Sequence, residues 1–153
     1  TLLCLTPEGL MLTVSLAAIA DAANVSREGK LNITGIFDSI SASAFPAYHP
    51  WMALVFVIEG DRGDAQAEHK LKVDLIDDDG NPVIQPLEGN IRFACDGPGG
   101  RINAPQILHL AHLKFDKPGT YEFKIIVNGE VRASVPIYLR EAEQQQQQRC
   151  AGA

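Results

Sequence analysis

From Lys30 onward apolar residues recur at every second position, the spacing of strands that bury one face. In "GKLNITGIFDSI", Leu31 and Ile33 share one face while Asn32 and Thr34 share the other. Gly35 interrupts the alternation, and Ile36 and Phe37 follow with opposite parity, which predicts a bulge or a close backbone approach at the glycine. Met52 to Ile58 is almost continuously apolar, as in a central strand covered on both faces. Leu71, Val73 and Leu75 then alternate with Lys70, Lys72 and Asp74, and "DDDGNP" ends that strand in a tight turn. Val83 and Ile84 begin a short return strand, Ile91 and Phe93 mark another, and residues 96–105 read as a loop by composition.

"QILHLAHLKF" carries two parities, Leu108 with Leu110 and Leu113 with Phe115; a strand with one extra residue near Ala111 and His112 reconciles them. In "KPGTYEFKIIVNGEVRASVPIYL", Tyr121, Phe123, Ile125 and Val127 face inward, Asn128-Gly129 turns, and Val131, Ala133, Val135, Ile137 and Leu139 return. Pro136 cannot donate a ladder hydrogen bond, so this last strand lies at an edge or is bonded there on one side only. Nearer the start, Leu12, Val14 and Leu16 also alternate. "AAIADAANVSREGKLNITGIF" is therefore read as a first strand, a loop at "NVSREGK" and a second strand "LNITGIF", rather than a helix or a secretion signal. Eight or nine strands with frequent turn signals and no long helix predict an all-β fold: a single antiparallel β-sandwich of immunoglobulin-like or related topology.

Length and composition fit this picture. A chain of 153 residues with 46% hydrophobic and 21% charged residues forms one domain with an ordinary core. The net charge of −6 argues against nucleic acid and anionic membrane surfaces as partners. Three scattered cysteines, Cys4, Cys95 and Cys150, read as free thiols in a reducing compartment. "LMLTVSLAAIADAA" has the apolar run and small residues of a cleavable signal, yet no Lys or Arg precedes Arg27. The cytoplasm is the expected location and secretion the alternative. Residues 1–10 are read as a leader upstream of a natural start at Met11, residues 11–140 as the domain, and residues 141–153, with five consecutive glutamines, as a flexible tail.

The stretches "ADAANVSREGKLNITGIFDSI", "FPAYHPWMALVFVIEGD", "LIDDDGNPV" and "LKFDKPGTYEFKIIVNGEV" together resemble a bacterial family of small proteins catalogued as a domain of unknown function. The resemblance runs from about Met11 to Leu139. It implies a compact all-β domain that begins near Met11 and brings no catalytic residues with it.

Few motifs point to chemistry. His109 and His112 supply two metal-ligand nitrogens without an identifiable third, so no metal or other cofactor is expected. Asp77, Asp78 and Asp79 lack the spacing of a calcium loop, and the hairpin turn is the better reading; Asp38, Asp61 and Asp64 are the other acidic groups a calcium site would recruit. "GPGGR" at 97–101 has a phosphate cradle's glycines without its Lys-Ser/Thr ending, "RGD" at 62–64 is a chance match, and Asn24 and Asn32 fit the glycosylation pattern only for a secreted protein. No nucleophile setting is present, and no enzyme is expected. Tyr121, just after Pro118-Gly119, is placed to make a tyrosine-corner bond.

The remaining candidate is "AFPAYHPW", in which Phe45, Tyr48, His49 and Trp51 cluster about Pro46 and Pro50. Held by prolines, such rings either plug one end of the sandwich, the favoured reading, or present a contact surface. The leading functional expectation is a non-catalytic binding or assembly module acting through loops or sheet edges, its partner another protein or a second copy of itself. A small-ligand or carbohydrate binder using the aromatic segment comes second. A metal-assisted hydrolase built on His109 and His112 comes third.

Overall fold

The computed structural model describes residues 12–95 and 97–142. Among them are nine strands: β1 (Thr13–Val25), β2 (Leu31–Phe37), β3 (Ser39–Ala42), β4 (Ala47–Gly60), β5 (His69–Ile76), β6 (Leu87–Ile91), β7 (Ile102–Phe115), β8 (Gly119–Val127) and β9 (Glu130–Glu141). They form two sheets, of order β2-β1-β4-β7 and β3-β9-β8-β5-β6, whose inner faces share one core. The fold is the expected all-β sandwich, with one parallel pairing, β3 beside β9. That pair arises where the chain leaves β2 and crosses to the other sheet, the Tyr138 N–H donating to the Asp38 carbonyl at 2.8 Å. The proposed leader and nearly all of the proposed tail lie outside the described residues.

Phe56, Phe115 and Phe123 are the bulkiest fully buried side chains, packed with Met52, Leu54, Ile58, Leu75, Ile125 and Ile137. The β8–β9 hairpin follows its pattern. Tyr121, Phe123, Ile125 and Val127 are buried, and Asn128 and Gly129 both hold positive φ (52° and 82°), as a two-residue hairpin turn requires. Val131 does not rejoin the core as expected. The register shifts by one residue between Ile125 and Ile126, so Arg132 is extra and Val131 stays 52% exposed. Pro136 sits opposite Glu122, while β3 reaches β9 only from Tyr138 to Glu141. Its missing N–H therefore falls where β9 is bonded on one side.

Other local expectations are corrected. Gly35 makes no bulge: Ala23 opposite Ile33 and Ala20 opposite Ile36 keep one register across it. The glycine instead takes φ 71°, in the space that a Cβ would contest with the Asp21 carboxylate. Phe37 thus keeps the inward parity of Leu31 and Ile33, and Ile36 is left outside at 65% exposure. In β1 a register shift between Val14 and Leu16 makes Ser15 the extra residue, which turns Leu16 outward and breaks the alternation with Leu12 and Val14. In β7 the parity does change at His112 (φ 53°), but no residue is extra. Met52 opposite Leu110 and His49 opposite Leu113 share one register, because β4 changes parity at Pro50 in step. β7 also begins at Ile102, inside the stretch read as loop; Pro105 is tolerated there because β7 is an edge strand. Val83 and Ile84 form no strand: the Val83 N–H bonds to the Leu75 carbonyl beside a single bridge from Ile76 to Pro82.

Candidate contact surface

The aromatic segment is not a loop: from Ala47 it is the first half of β4, and strand alternation splits its rings. Phe45 is half-buried against the core, and His49 lies 5.7 Å from the ring of Phe37. Tyr48 and Trp51 point away from the core, 63% and 48% exposed, and the indole of Trp51 stacks on His109 at 5.1 Å with the planes 22° apart. Burial and exposure are therefore divided between different rings of the segment.

Trp51 belongs to a larger feature, the outer face of the four-stranded sheet. Residues opposite each other in antiparallel strands share a face, so the registers define rows across it. One row is Leu16, Val57 and Pro105; the next is Ala18, Val55 and Ile107. A third joins Ile36, Ala20, Ala53 and His109. Ala22 beside Thr34, and Trp51 beside Ala111, close the patch. No Asp, Glu, Lys or Arg occupies any of these positions. Ala20, Ala53 and Val55 have no exposed area, yet they lie outside the core cluster. No described element packs across that face. Among the described elements, the second sheet covers the continuous apolar run of β4 on its inner side, and none covers the other. The residues that sequence reasoning missed here are Leu16, Ile36 and the alanine column of β1.

The other candidates are engaged elsewhere. His109 is stacked on Trp51, His112 is exposed at the kink, and among the described residues no group of three His, Cys, Asp or Glu is placed to hold a metal ion. Asp77 Oδ1 accepts from the N–H groups of Asp79 (3.0 Å) and Asn81 (2.9 Å), and the Asn81 bond chiefly holds its carboxyl below the ordinary value. Asp78 accepts from Thr120 N–H at 3.0 Å, and Asp79 pairs with Lys117 at 3.4 Å, raising the lysine pKa. The acidic triplet thus ties the β5 turn to the loop before β8. From the start of β8 Tyr121 reaches back to that loop and makes the expected corner, its hydroxyl donating to the Lys117 carbonyl at 2.7 Å while burial pushes its pKa up.

Asp64, the acid of the "RGD" match, has no exposed area; one carboxylate oxygen accepts from Asp61 N–H at 2.8 Å, which removes the motif from any outside reader. His69, which sequence reasoning passed over, is buried with both ring nitrogens bonded, Nε2 to the Asp64 carbonyl at 2.6 Å and Nδ1 to the Asn128 amide at 2.9 Å. In the glycine loop the N–H groups of Gly97 and Gly100 bond within the loop, to Arg101 and Gly97 carbonyls. Cys95 is a free thiol.

The model of a family described as a family of unknown function, DUF6941, matches residues 15–140. No curated protein matches the chain. Two solved structures show a limited likeness. The first is an alkylpurine DNA glycosylase of Pseudomonas fluorescens bound to DNA containing an abasic-site analogue, 15% identical, with a TM-score of 0.39 over 84% of this chain. The likeness spans 30% of the glycosylase chain. The second is an immunoglobulin-like protein of Pseudomonas aeruginosa, 12% identical, with a TM-score of 0.41 over 87% of this chain and 99% of that one.

Proposed function

The chain belongs to the DUF6941 family of unknown function, and we propose that it is a non-catalytic binding or assembly module holding another protein on the outer face of its four-stranded sheet. The carrying observation is that face itself: its rows hold no charged residue among the described positions, and Leu16, Ile36 and Trp51 on it are 40%, 65% and 48% exposed. Contiguous apolar surface of this kind is the physical mark of an interaction site. The edges of the four-stranded sheet are the weaker alternative. Edge pairing needs an unbroken ladder, and β7 carries Pro105 and the kink at His112 while β2 carries Gly35 in a left-handed conformation.

The non-catalytic reading is supported by what the reactive groups do: His69, Asp77, Asp78 and Tyr121 are occupied in holding loops. A net charge of −6 supports a protein partner over nucleic acid. No described helix is long and apolar enough to cross a membrane. A cytoplasmic site of action is part of the proposal and is supported by cysteines scattered without paired spacing. A carbohydrate platform is the second reading, favoured by the half-exposed indole of Trp51.

Affinity capture from the native cell tests the first reading. Wild type should retain a specific protein that Trp51→Ala and Leu16→Glu lose while both variants keep the wild-type circular dichroism. Retention by both variants would reject the face. Binding on a glycan array that Trp51→Ala abolishes would move the proposal to the second reading.

A further inference from the structure

We propose that the cleft between β2 and β3 is a separate binding site, which takes a small organic cation: a guanidinium or ammonium group on an apolar stem. Asp21, Phe37, Ser39, Ile40, Ser41 and His49 are among the residues that line it, around a space of about 410 Å³. Pockets that hold small ligands run from roughly 300 to 1,000 Å³. The cleft opens where the chain leaves one sheet for the other, on the inward side of β1 and β2. It stands apart from the outer face, so neither test bears on the other.

Strand pairing explains how a carboxylate comes to stand there. Asp21 falls between Ala20, opposite Ile36, and Ala22, opposite Thr34, so its cross-strand neighbour is Gly35. It has the inward parity of Ala17 and Ile19, which pack in or against the core. A carboxylate on that face needs room and water, and the cleft supplies both, leaving Asp21 exposed. Gly35 completes the seat, because the carboxylate lies over the glycine in the space a Cβ would take. A glycine inside a strand marks a bulge, a bend or a close approach. The unbroken register excludes the bulge, and the position of Asp21 supplies the approach.

The lining selects the ligand. Asp21 is the one charged residue in it, and no ion pair joins Asp21 to a described residue. Phe37 and His49, both half-buried, set their rings 5.7 Å apart as an aromatic wall, and half-buried Ile40 of β3 adds apolar surface. Ser39 and Ser41 are exposed and carry hydroxyls on the β3 side. A cation is held by such a set twice, through charge-assisted hydrogen bonds to the carboxylate and through attraction to a ring face. A guanidinium suits both, since its planar fork matches a carboxylate and stacks on aromatic rings. An anion would meet an unpaired carboxylate. A metal ion would lack ligands, because no group of three His, Cys, Asp or Glu is placed to hold one among the described residues.

The test is a titration of the isotope-labelled full chain with butylguanidinium, followed by amide NMR. Saturable shifts are expected at Gly35, Phe37, Ser39 and His49, with a Kd of roughly 1–10 mM for a ligand this small. N-butylurea, a neutral near-isostere, should bind several-fold more weakly. Asp21→Asn keeps the size and removes the charge; it should weaken butylguanidinium roughly tenfold at unchanged circular dichroism. Phe37→Leu should weaken it several-fold. Glu28→Gln makes the same change in net charge at an exposed site in the β1–β2 turn and should have no effect. Acetyl-arginine methylamide identifies the source: tighter binding than butylguanidinium assigns the site to an arginine side chain of a partner, weaker binding to a free small molecule. Absence of saturable shifts at these amides, equal binding of N-butylurea, or an unchanged Kd in Asp21→Asn overturns the proposal.

Discussion

Truncation of Trp51 to alanine distinguishes a structural plug from a surface residue by size of effect. A Trp side chain buries up to about 250 Å², and with 48% of this one exposed, roughly 130 Å² is covered in the fold. At about 25 cal/mol/Å² that corresponds to about 3 kcal/mol. Alanine keeps the Cβ contacts, and the unfolded chain already covers part of the area, so the loss on Trp51→Ala falls to about 1–2 kcal/mol, including the stack on His109. A tryptophan plugging the end of the sandwich would lose about 3–5 kcal/mol instead. The assay is urea unfolding followed by far-ultraviolet circular dichroism, since the variant has no tryptophan. Phe123→Ala, at a site with no exposed area, sets the upper mark near 3–5 kcal/mol. A Trp51→Ala loss as large as that of Phe123→Ala, at an unchanged urea slope, would refute the assignment of Trp51 to the outer face.

Tyr121→Phe removes the hydroxyl bond to Lys117 and should cost about 1 kcal/mol at neutral pH. The tyrosine pKa is raised in the fold, so its contribution is complete below about pH 10 and fades as pH rises through the folded value; melts at rising pH should show the gap to Tyr121→Phe closing. Asp77 has the opposite sign: its pKa is lowered, so its contribution is present above about pH 4 and lost as pH falls below it. Asp77→Ala should melt earlier at pH 7 and converge with wild type in acid; a gap that widens in acid would contradict the turn assignment. Gly35→Ala should cost about 1–2 kcal/mol from the left-handed backbone together with the Asp21 contact. Adding Asp21→Ala should recover the second part alone, read as a partial return of the urea midpoint. His69→Phe leaves the Asp64 carbonyl without its ring donor and should cost about 2 kcal/mol in the same assay.

Much of the fold was legible because one face of each strand must be dry, and alternation records that directly. Tyr121 to Val127, the Asn128-Gly129 turn and the β1-loop-β2 order followed from it. Errors arose where one residue was added or where two strands changed phase together. Ser15 and Arg132 are single extra residues whose insertion nothing local announces, and each moved a large side chain, Leu16 or Val131, to the outside. The Pro50–His112 phase change was half visible, as mixed parity in β7. That it is shared with β4, and so adds no residue, is a property of the pair that neither strand shows alone. The crossing at Asp38 and the parallel β3–β9 pair were hidden for the same reason.

The contact surface was partly written in the sequence and misread. A run such as Met52 to Ile58 states that both faces of a strand are apolar, and the natural inference is a layer on each side. The described elements supply one layer. On the other face Ala20 and Ala53 have no exposed area, while Leu16 and Ile36 beside them stay 40% and 65% exposed. Folding therefore depends on the inner face, where Leu54→Ala should cost about 2–5 kcal/mol. Leu16 and Ile36 on the outer face, 40% and 65% exposed, contribute little to that total, so their apolar character needs a second reason, and Leu16→Glu addresses that reason without touching the first. If Leu54→Ala lowers stability while Leu16→Glu lowers association alone, the two faces of one sheet serve separate ends, folding inside and recognition outside.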